Sequence, residues 1–266
     1  MTRQETIRQD VPRQDVSADR QRTLRRDNAV AAALHAVQAV VVLVLATDFA
    51  LPVTANYLQG PPGTSPQEPV TLFDIPTGLA VAGFLALSAL AHLIVGTVWW
   101  RRYLFDLARH RNPARWVEYA FSASLMIVLI AQLVGILDVA ALIAIFGVNA
   151  SMILFGWLQE KYEEPGRGGW LPFIFGCIAG IVPWLAILVY VVAPGSKASV
   201  SPPGFVYGIL ISLFVLFNIF ALNQWLQYRA RGRWRDYLFG ERIYILLSLT
   251  AKSALAWQVF GGTLAG

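Results

Sequence analysis

Long apolar runs alternate with short polar or Pro/Gly-rich breaks along the chain, and seven of them can be placed, near 29–47, 77–100, 116–137, 139–158, 171–192, 205–227 and 242–264. Crossing about 30 Å of hydrocarbon takes about 20 helical residues, so each run is long enough to span a bilayer. The third and fourth nearly merge: as one helix, residues 116–158 would extend about 65 Å, about twice the membrane. The chain must turn back there, and Gly135-Ile136-Leu137-Asp138 is the tight connection on offer. Runs of Ala, Leu, Val and Ile of this length favour helices, which close their backbone hydrogen bonds internally, over a barrel of short alternating strands. The pattern therefore predicts an all-α fold, a seven-transmembrane helix bundle.

Residues 1–27 hold almost no large apolar side chains and repeat Arg-Gln-Asp-Val around Pro12, which reads as a disordered tail. That leaves 28–266 as one membrane domain. The first apolar run begins only at Ala29 and is long enough to span, so it reads as a transmembrane helix rather than a cleaved leader. Residues 50–75, with Pro52, Pro61, Pro62, Pro66 and Pro69, form the one long loop, with room for a short strand pair or a partner-binding surface.

Composition agrees. The chain is 56% hydrophobic and 14% charged, where an average globular protein carries about a quarter charged residues. The single cysteine, Cys177, lies in an apolar stretch, which excludes a disulfide framework and a cysteine-based metal site. A net charge of +5 does not argue for nucleic acid here; what matters is which loops hold it. Of 21 Lys and Arg, nineteen flank one side: seven before the first span, then Arg101, Arg102, Arg109, Arg111 and Arg115, then Lys161 and Arg167, then Arg229, Arg231, Arg233, Arg235 and Arg242. The other side has only Lys197. Positive loops stay inside, so the N-terminus is expected in the cytoplasm and Gly266 outside, in a multi-pass protein of the cell membrane. The arginine clusters read as topology determinants that touch anionic headgroups rather than as a partner site.

One basic residue remains. Lys252 lies in the middle of the seventh span, about 15 Å from its cytoplasmic start and too deep to snorkel easily. A charged ammonium there costs about 3 kcal/mol or more, so it needs an acidic partner, a neutral form or a covalent modification. Glu118 enters the third span at a compatible depth, one turn after Arg115, with Tyr119 beside it and Ser122 on the same face. His35 on the first span has Gln38 one turn on, and His92 on the second has Ser88 one turn before it. Ser248 shares the face of Lys252, with Tyr244 a further turn toward the cytoplasm. Four spans thus bring polar groups to one layer in the cytoplasmic half.

Seven helices enclosing a lysine and a nearby carboxylate suit an aldehyde held as a protonated Schiff base with the carboxylate as counterion, and retinal is such an aldehyde. Trp184, Phe217, Trp225 and Trp257 offer flat walls for a polyene, Met152 an adaptable filler, and Asn149, Asn218 and Gln224 polar contacts. Singly, such aromatics are more often packing or interfacial anchors.

The runs Leu-His-Ala-Val-Gln-Ala-Val at 34–40, Arg-Trp-Val-Glu-Tyr-Ala-Phe-Ser-Ala-Ser at 115–124 and Glu-Arg-Ile-Tyr-Ile-Leu-Leu-Ser-Leu-Thr-Ala-Lys-Ser-Ala-Leu-Ala-Trp-Gln-Val-Phe at 241–260 resemble the heliorhodopsins, and the likeness extends from the first span to the seventh. The resemblance implies a rhodopsin-like bundle with retinal on Lys252, all-trans in the dark. It implies Glu118 as sole counterion, Ser248 near the Schiff base, and His35 with His92 lining a polar cavity on the cytoplasmic side. It also implies the inverted orientation that the charge count reached independently, a homodimer with the long loop near its interface, and light sensing toward an unknown cytoplasmic partner rather than ion pumping. Outward proton pumps among other microbial rhodopsins carry acids where this chain has Ser248 and Leu129. The alternatives are a light-driven or light-gated ion transporter, or a retinal-free seven-helix protein with a buried Lys252–Glu118 pair. An enzyme is disfavoured, because no nucleophile and base fall at a useful spacing. Asp48, Asp74 and Asp138 read as solvated, and no metal site is expected, although two histidines and Glu118 are a conceivable ligand set.

Overall fold

In the computed structural model, seven helices are long and apolar enough to cross a membrane: α1 (Ala18–Leu45), α2 (Thr77–Gly96), α4 (Pro113–Leu133), α5 (Val139–Tyr162), α6 (Leu171–Val192), α7 (Gly204–Tyr228) and α8 (Tyr237–Val259), the last continued by a π-helical turn, Phe260–Leu264. A short helix, α3 (Trp100–Leu107), follows α2, and a 3-10 turn, Gly232–Arg235, precedes α8. The structure describes residues 16–58, 60–64, 68–192 and 202–264. Lys197 and the first half of the expected tail, 1–15, lie outside them.

The helix ends follow local chemistry. Asn112 caps α4 by accepting from the Arg115 N–H, with Pro113 in the first turn. The expected turn between the third and fourth spans is present: Gly135 takes φ 96°, which glycine adopts freely, and Asp138 accepts from Ala140 N and Ala141 N to start α5. Asp138 is thus a helix cap rather than a merely solvated carboxylate. Asp236 caps α8 in the same way through Leu238 N.

Three expectations are corrected. Helix α1 begins at Ala18, so residues 18–27 are not a disordered tail. The reason lies in packing: Val16 and Leu24 are buried with Val95, Tyr103, Leu107, Tyr237 and Leu238 in a small apolar core of their own. Ion pairs Arg20–Asp236 at 2.9 Å and Arg242–Asp27 at 2.7 Å tie the extension to the start of α8; being half-exposed they contribute about 0–1 kcal/mol each, so the apolar contacts dominate. The second span stops at Gly96, and the residues beyond it form α3, which buries Tyr103 and Leu107 and leaves its arginines outside. The seventh helix starts at Tyr237, five residues before the expected Arg242, which brings Glu241 inside it.

In the bundle α1 packs on α2 and α8, α2 on α4, α4 on α5, α5 on α6, and α7 on α8. The consecutive spans α6 and α7 have little backbone contact; Trp184 of α6 bridges to α7 edge-on against Phe214 and Phe217, with ring centroids at 5.2 and 5.7 Å. The largest core cluster joins α2, α4 and α8 with residues such as Phe84, Leu85, Met126, Ile127, Ile130 and Leu255. Outward faces are apolar, as hydrocarbon contact requires: Val37, Val40, Val44, Ile143, Ile178 and Leu185 are exposed. The long loop does form a strand pair, β1 (Ala50–Ala55) antiparallel to β2 (Val70–Pro76) with an irregularity at Val53/Thr54. It rests on the α4–α5 turn through Thr54 N donating to Leu137 O.

Candidate functional site

Lys252 and Glu118, far apart in sequence, meet where α8 crosses α4. Lys252 Nζ donates to Glu118 Oε1 at 2.8 Å and to Ser248 Oγ, one turn back on its own helix, also at 2.8 Å. Both ionic side chains are buried. Ser88 of α2 donates to Glu118 Oε1 at 2.6 Å, so one carboxylate oxygen takes both contacts. The ring of Tyr119 lies 5.0 Å from Lys252 Nζ, and its hydroxyl donates to the Tyr244 carbonyl. Removing either ion from such a pair leaves a buried charge uncompensated, at about 3–5 kcal/mol.

Beside the pair, α1 and α2 bring His35 and His92 together, stacked with ring centroids 5.9 Å apart. His92 Nδ1 is 2.8 Å from Asn28 Oδ1. His35 is buried, and neither of its ring nitrogens has a hydrogen-bond partner among the described residues. A buried imidazole without partners points to a polar space that small polar groups can occupy.

On the other side of Lys252 lies an apolar cavity of about 180 Å³ between α4, α5, α6, α7 and α8. Tyr119, Ser122, Met152, Trp184, Phe217, Asn218, Gln224, Ser248 and Lys252 line it, as the sequence led one to expect. Gln224 donates to the Gly156 carbonyl at 2.8 Å, and Asn218 to the Phe214 carbonyl, also at 2.8 Å. Two glycines make room: a Cβ on Gly180 would fall 2.5 Å from Met152 Sδ, and one on Gly156 would fall 2.6 Å from the Trp116 ring. A mostly apolar slot with a buried amine on its wall has the donor set that a conjugated aldehyde such as retinal requires.

Four expected members fall elsewhere, among them Trp225, which does not line the cavity and lies 5.4 Å from the Arg229 guanidinium. Asn149 does not line the cavity; it donates to Ser124 Oγ at 3.0 Å and locks α5 to α4. Trp257 is 43% exposed and faces outward, its indole N–H donating to Gln38 Oε1 at 3.0 Å, which also takes Gln38 out of the polar layer. Helical spacing placed these residues at about the right depth but not on the inward face, and depth alone cannot do that for an apolar helix with no clear polar side. The missed lining residues include the small or aromatic Gly156, Gly176, Gly180, Trp116, Phe173 and Phe220, and the aliphatic Met126, Ile153 and Ile181.

The largest omission is a second ionic cluster, one turn away. Arg115, counted from sequence as a topology determinant, is buried and bonded to Glu160 of α5 at 2.6 Å and to Glu241 of α8. Its guanidinium lies 4.0 Å over the Tyr244 ring. Tyr103 and Asn112 donate to Glu241, and Asn112 N, Trp116 and Tyr237 to Glu160. The sequence signal was present: acids close to the ends of two spans whose other charges are basic.

Seven apolar spans, five of them lining a slot with the buried Lys252 on its wall beside Glu118, define the class, a multi-pass seven-helix membrane protein. The heliorhodopsin family matches residues 24–264 of the 266, and the chain belongs to that family, whose members are rhodopsin-type photoreceptors with a retinal chromophore. A search of curated proteins returns no match.

Proposed function

We propose that this protein is a light sensor in which Lys252 carries retinal as a protonated Schiff base, Glu118 is the counterion, and the response is a conformational signal rather than ion transport or enzymatic turnover. The observation that carries the reading is the Lys252–Glu118–Ser248 contact on the wall of the apolar slot. When bound, all-trans-retinal supplies visible absorption and a light-driven isomerisation. The residues of the chain do the rest. Glu118 and Ser248 hold a positive charge at the lysine nitrogen; Trp184, Phe217 and Met152 confine a chain beside it and exclude water; His35 and His92 offer neutral acceptors within the adjoining layer. Asp138, on the hairpin side, is committed to capping α5, and no string of titratable groups joins the pair to that face among the described residues. This favours sensing over pumping.

The arginine-rich face is assigned to the cytoplasm, with the hairpin outside, because positively charged loops resist translocation. A homodimer is supported by the outer face of β2, where Val70, Leu72 and Phe73 are exposed beside Tyr57 and Leu58. The cytoplasmic signalling partner is unidentified, and nucleic acid is not among the expected partners. The test is the visible spectrum of membranes containing the full chain, with and without added all-trans-retinal, for wild type and Lys252→Ala. A retinal-dependent band absent from the variant is expected. No band in folded wild-type protein overturns the reading in favour of a retinal-free bundle, and light-driven ion flux in loaded vesicles overturns the sensing part.

A further inference from the structure

The cluster one turn from the site has an unbalanced charge. Arg115 is the one cation bonded to either Glu160 or Glu241 among the described residues, and all three side chains are buried. The other groups that face it are neutral: Tyr103 from α3, Asn112 and Trp116 from the start of α4 and Tyr237 from α8 donate hydrogen bonds, and Tyr244 of α8 presents its ring. From the α3–α4 loop, His110 stacks on Tyr237 at 5.1 Å, and burial holds it below the ordinary histidine value of 6.5, so it adds no positive charge at neutral pH. With both carboxyls ionised, the group would bury one uncompensated negative charge, which costs several kcal/mol.

The donor inventory says where a proton fits. Glu160 Oε2 faces two groups that can only donate, Asn112 N–H at 2.8 Å and Trp116 Nε1–H at 2.6 Å, and Oε1 faces the Arg115 guanidinium and the Tyr237 hydroxyl. All of its about four lone-pair sites are taken, three by groups that can only donate, so a hydrogen on Glu160 would require the Tyr237 hydroxyl to turn from donor to acceptor. Glu241 has fewer obligate donors. Its Oε2 faces Arg115, and its Oε1 faces the Asn112 amide at 2.8 Å and the Tyr103 hydroxyl at 3.0 Å. The amide is fixed as a donor because its own oxygen accepts from Arg115 N. The Tyr103 hydroxyl can rotate and accept, which frees a place on Oε1 for a hydrogen.

We propose that this cluster is a proton-binding site in which Glu241 holds one exchangeable proton, donated from Oε1 to the Tyr103 hydroxyl, and that the bond responds to light. The route of response is short. Arg115 and Glu118 are successive turns of α4, and Tyr119 clasps the backbone of Tyr244, whose ring covers the Arg115 guanidinium and which follows Glu241 by one turn of α8. A displacement of charge at Lys252–Glu118 thus reaches Glu241 from two sides. The dark-state site stands without the photoreceptor reading; the light response rests on it.

The test is infrared difference spectroscopy of the full-length protein in lipid, read in the carbonyl-stretching region of protonated carboxyls. In the dark, exchange from H2O to D2O is expected to shift one such band downward, Glu241→Gln to abolish it, and Glu160→Gln to retain it. Tyr103→Phe, which keeps the ring and removes only the acceptor, is expected to move the band to higher frequency without loss, and it decides the matter if Glu241→Gln fails to fold. Absence of any band that depends on Glu241, or a band unmoved in Tyr103→Phe, overturns the site. In retinal-loaded protein, illumination is expected to shift the same band, and a band that stays fixed overturns the coupling. If no visible chromophore forms, the photoreceptor reading fails while the dark arms still decide the proton site.

Discussion

Arg115 and Glu118 lie three residues apart on one helix, yet they anchor clusters of opposite design. Around Arg115, seven contacts converge on two carboxylates from α3, the α3–α4 loop, α4 and α8, and aromatic rings cover the guanidinium on two sides. Around Lys252, one carboxylate oxygen takes both contacts, a partnerless imidazole lies to one side and an apolar cavity to the other. Dense hydrogen bonding on its two carboxylates makes the first a clamp that joins four helices, α3, α4, α5 and α8. Incomplete satisfaction beside free space makes the second a place where chemistry and displacement are possible. Both are buried ion pairs, so burial alone does not mark the functional one; the unfilled neighbours do.

If that contrast is right, the two clusters break differently. Arg115→Gln strands two buried carboxyls and is expected to cost about 3–5 kcal/mol, read as a large fall in the thermal unfolding midpoint. The double variant Lys252→Met, Glu118→Gln removes charge from both partners at similar volume and is expected to lie within about 1 kcal/mol of the unsubstituted chain in retinal-free membranes. Equal losses would show that the lower pair is as structural as the upper.

The cavity can be closed without touching either ion pair. Gly180→Leu pushes into Met152 and the slot, and is expected to cost about 1–3 kcal/mol while abolishing the retinal-dependent band. A band of normal amplitude would mean that the chromophore lies elsewhere. By contrast, Asn149→Ala removes only the clasp to Ser124, with an expected cost of about 1 kcal/mol and an unshifted absorption maximum. A shifted maximum would return Asn149 to the site.

What could be read beforehand divides along the same line. Lys252, Glu118 and Ser248 were legible because a charge deep in an apolar run has few physical excuses, and depth arithmetic picks its partners. The number of spans and the Gly135 turn followed from length. Arg115, Glu160 and Glu241 were hidden because charges at span ends ordinarily set topology, and only the fold shows that α3 and the first turns of α1 roof them over. Trp257 and Gln38 were misplaced for a different reason. Depth alone does not say which side faces in: Trp257 lies five residues after Lys252, about 140° round α8, so an indole at the right depth can seal an outer seam.

The smallest expected effect lies at the roof. His110, in the α3–α4 loop, takes a left-handed conformation, φ 55°, and stacks on Tyr237, whose hydroxyl donates to Glu160. Burial depresses its pKa below 6.5, with Asp236 and Glu160 opposing. The unfolded chain therefore binds the proton more readily than the folded one, so the contribution of His110 to stability is complete above about 6.5 and is lost as pH falls toward the folded-state value. Asparagine tolerates the same backbone conformation and does not titrate. Unfolding midpoints of wild type and His110→Asn, measured from neutral to mildly acid pH, are expected to converge as the wild type loses this increment. Parallel curves would place His110 outside the clamp and would shrink the clamp to the donors that touch its carboxylates directly.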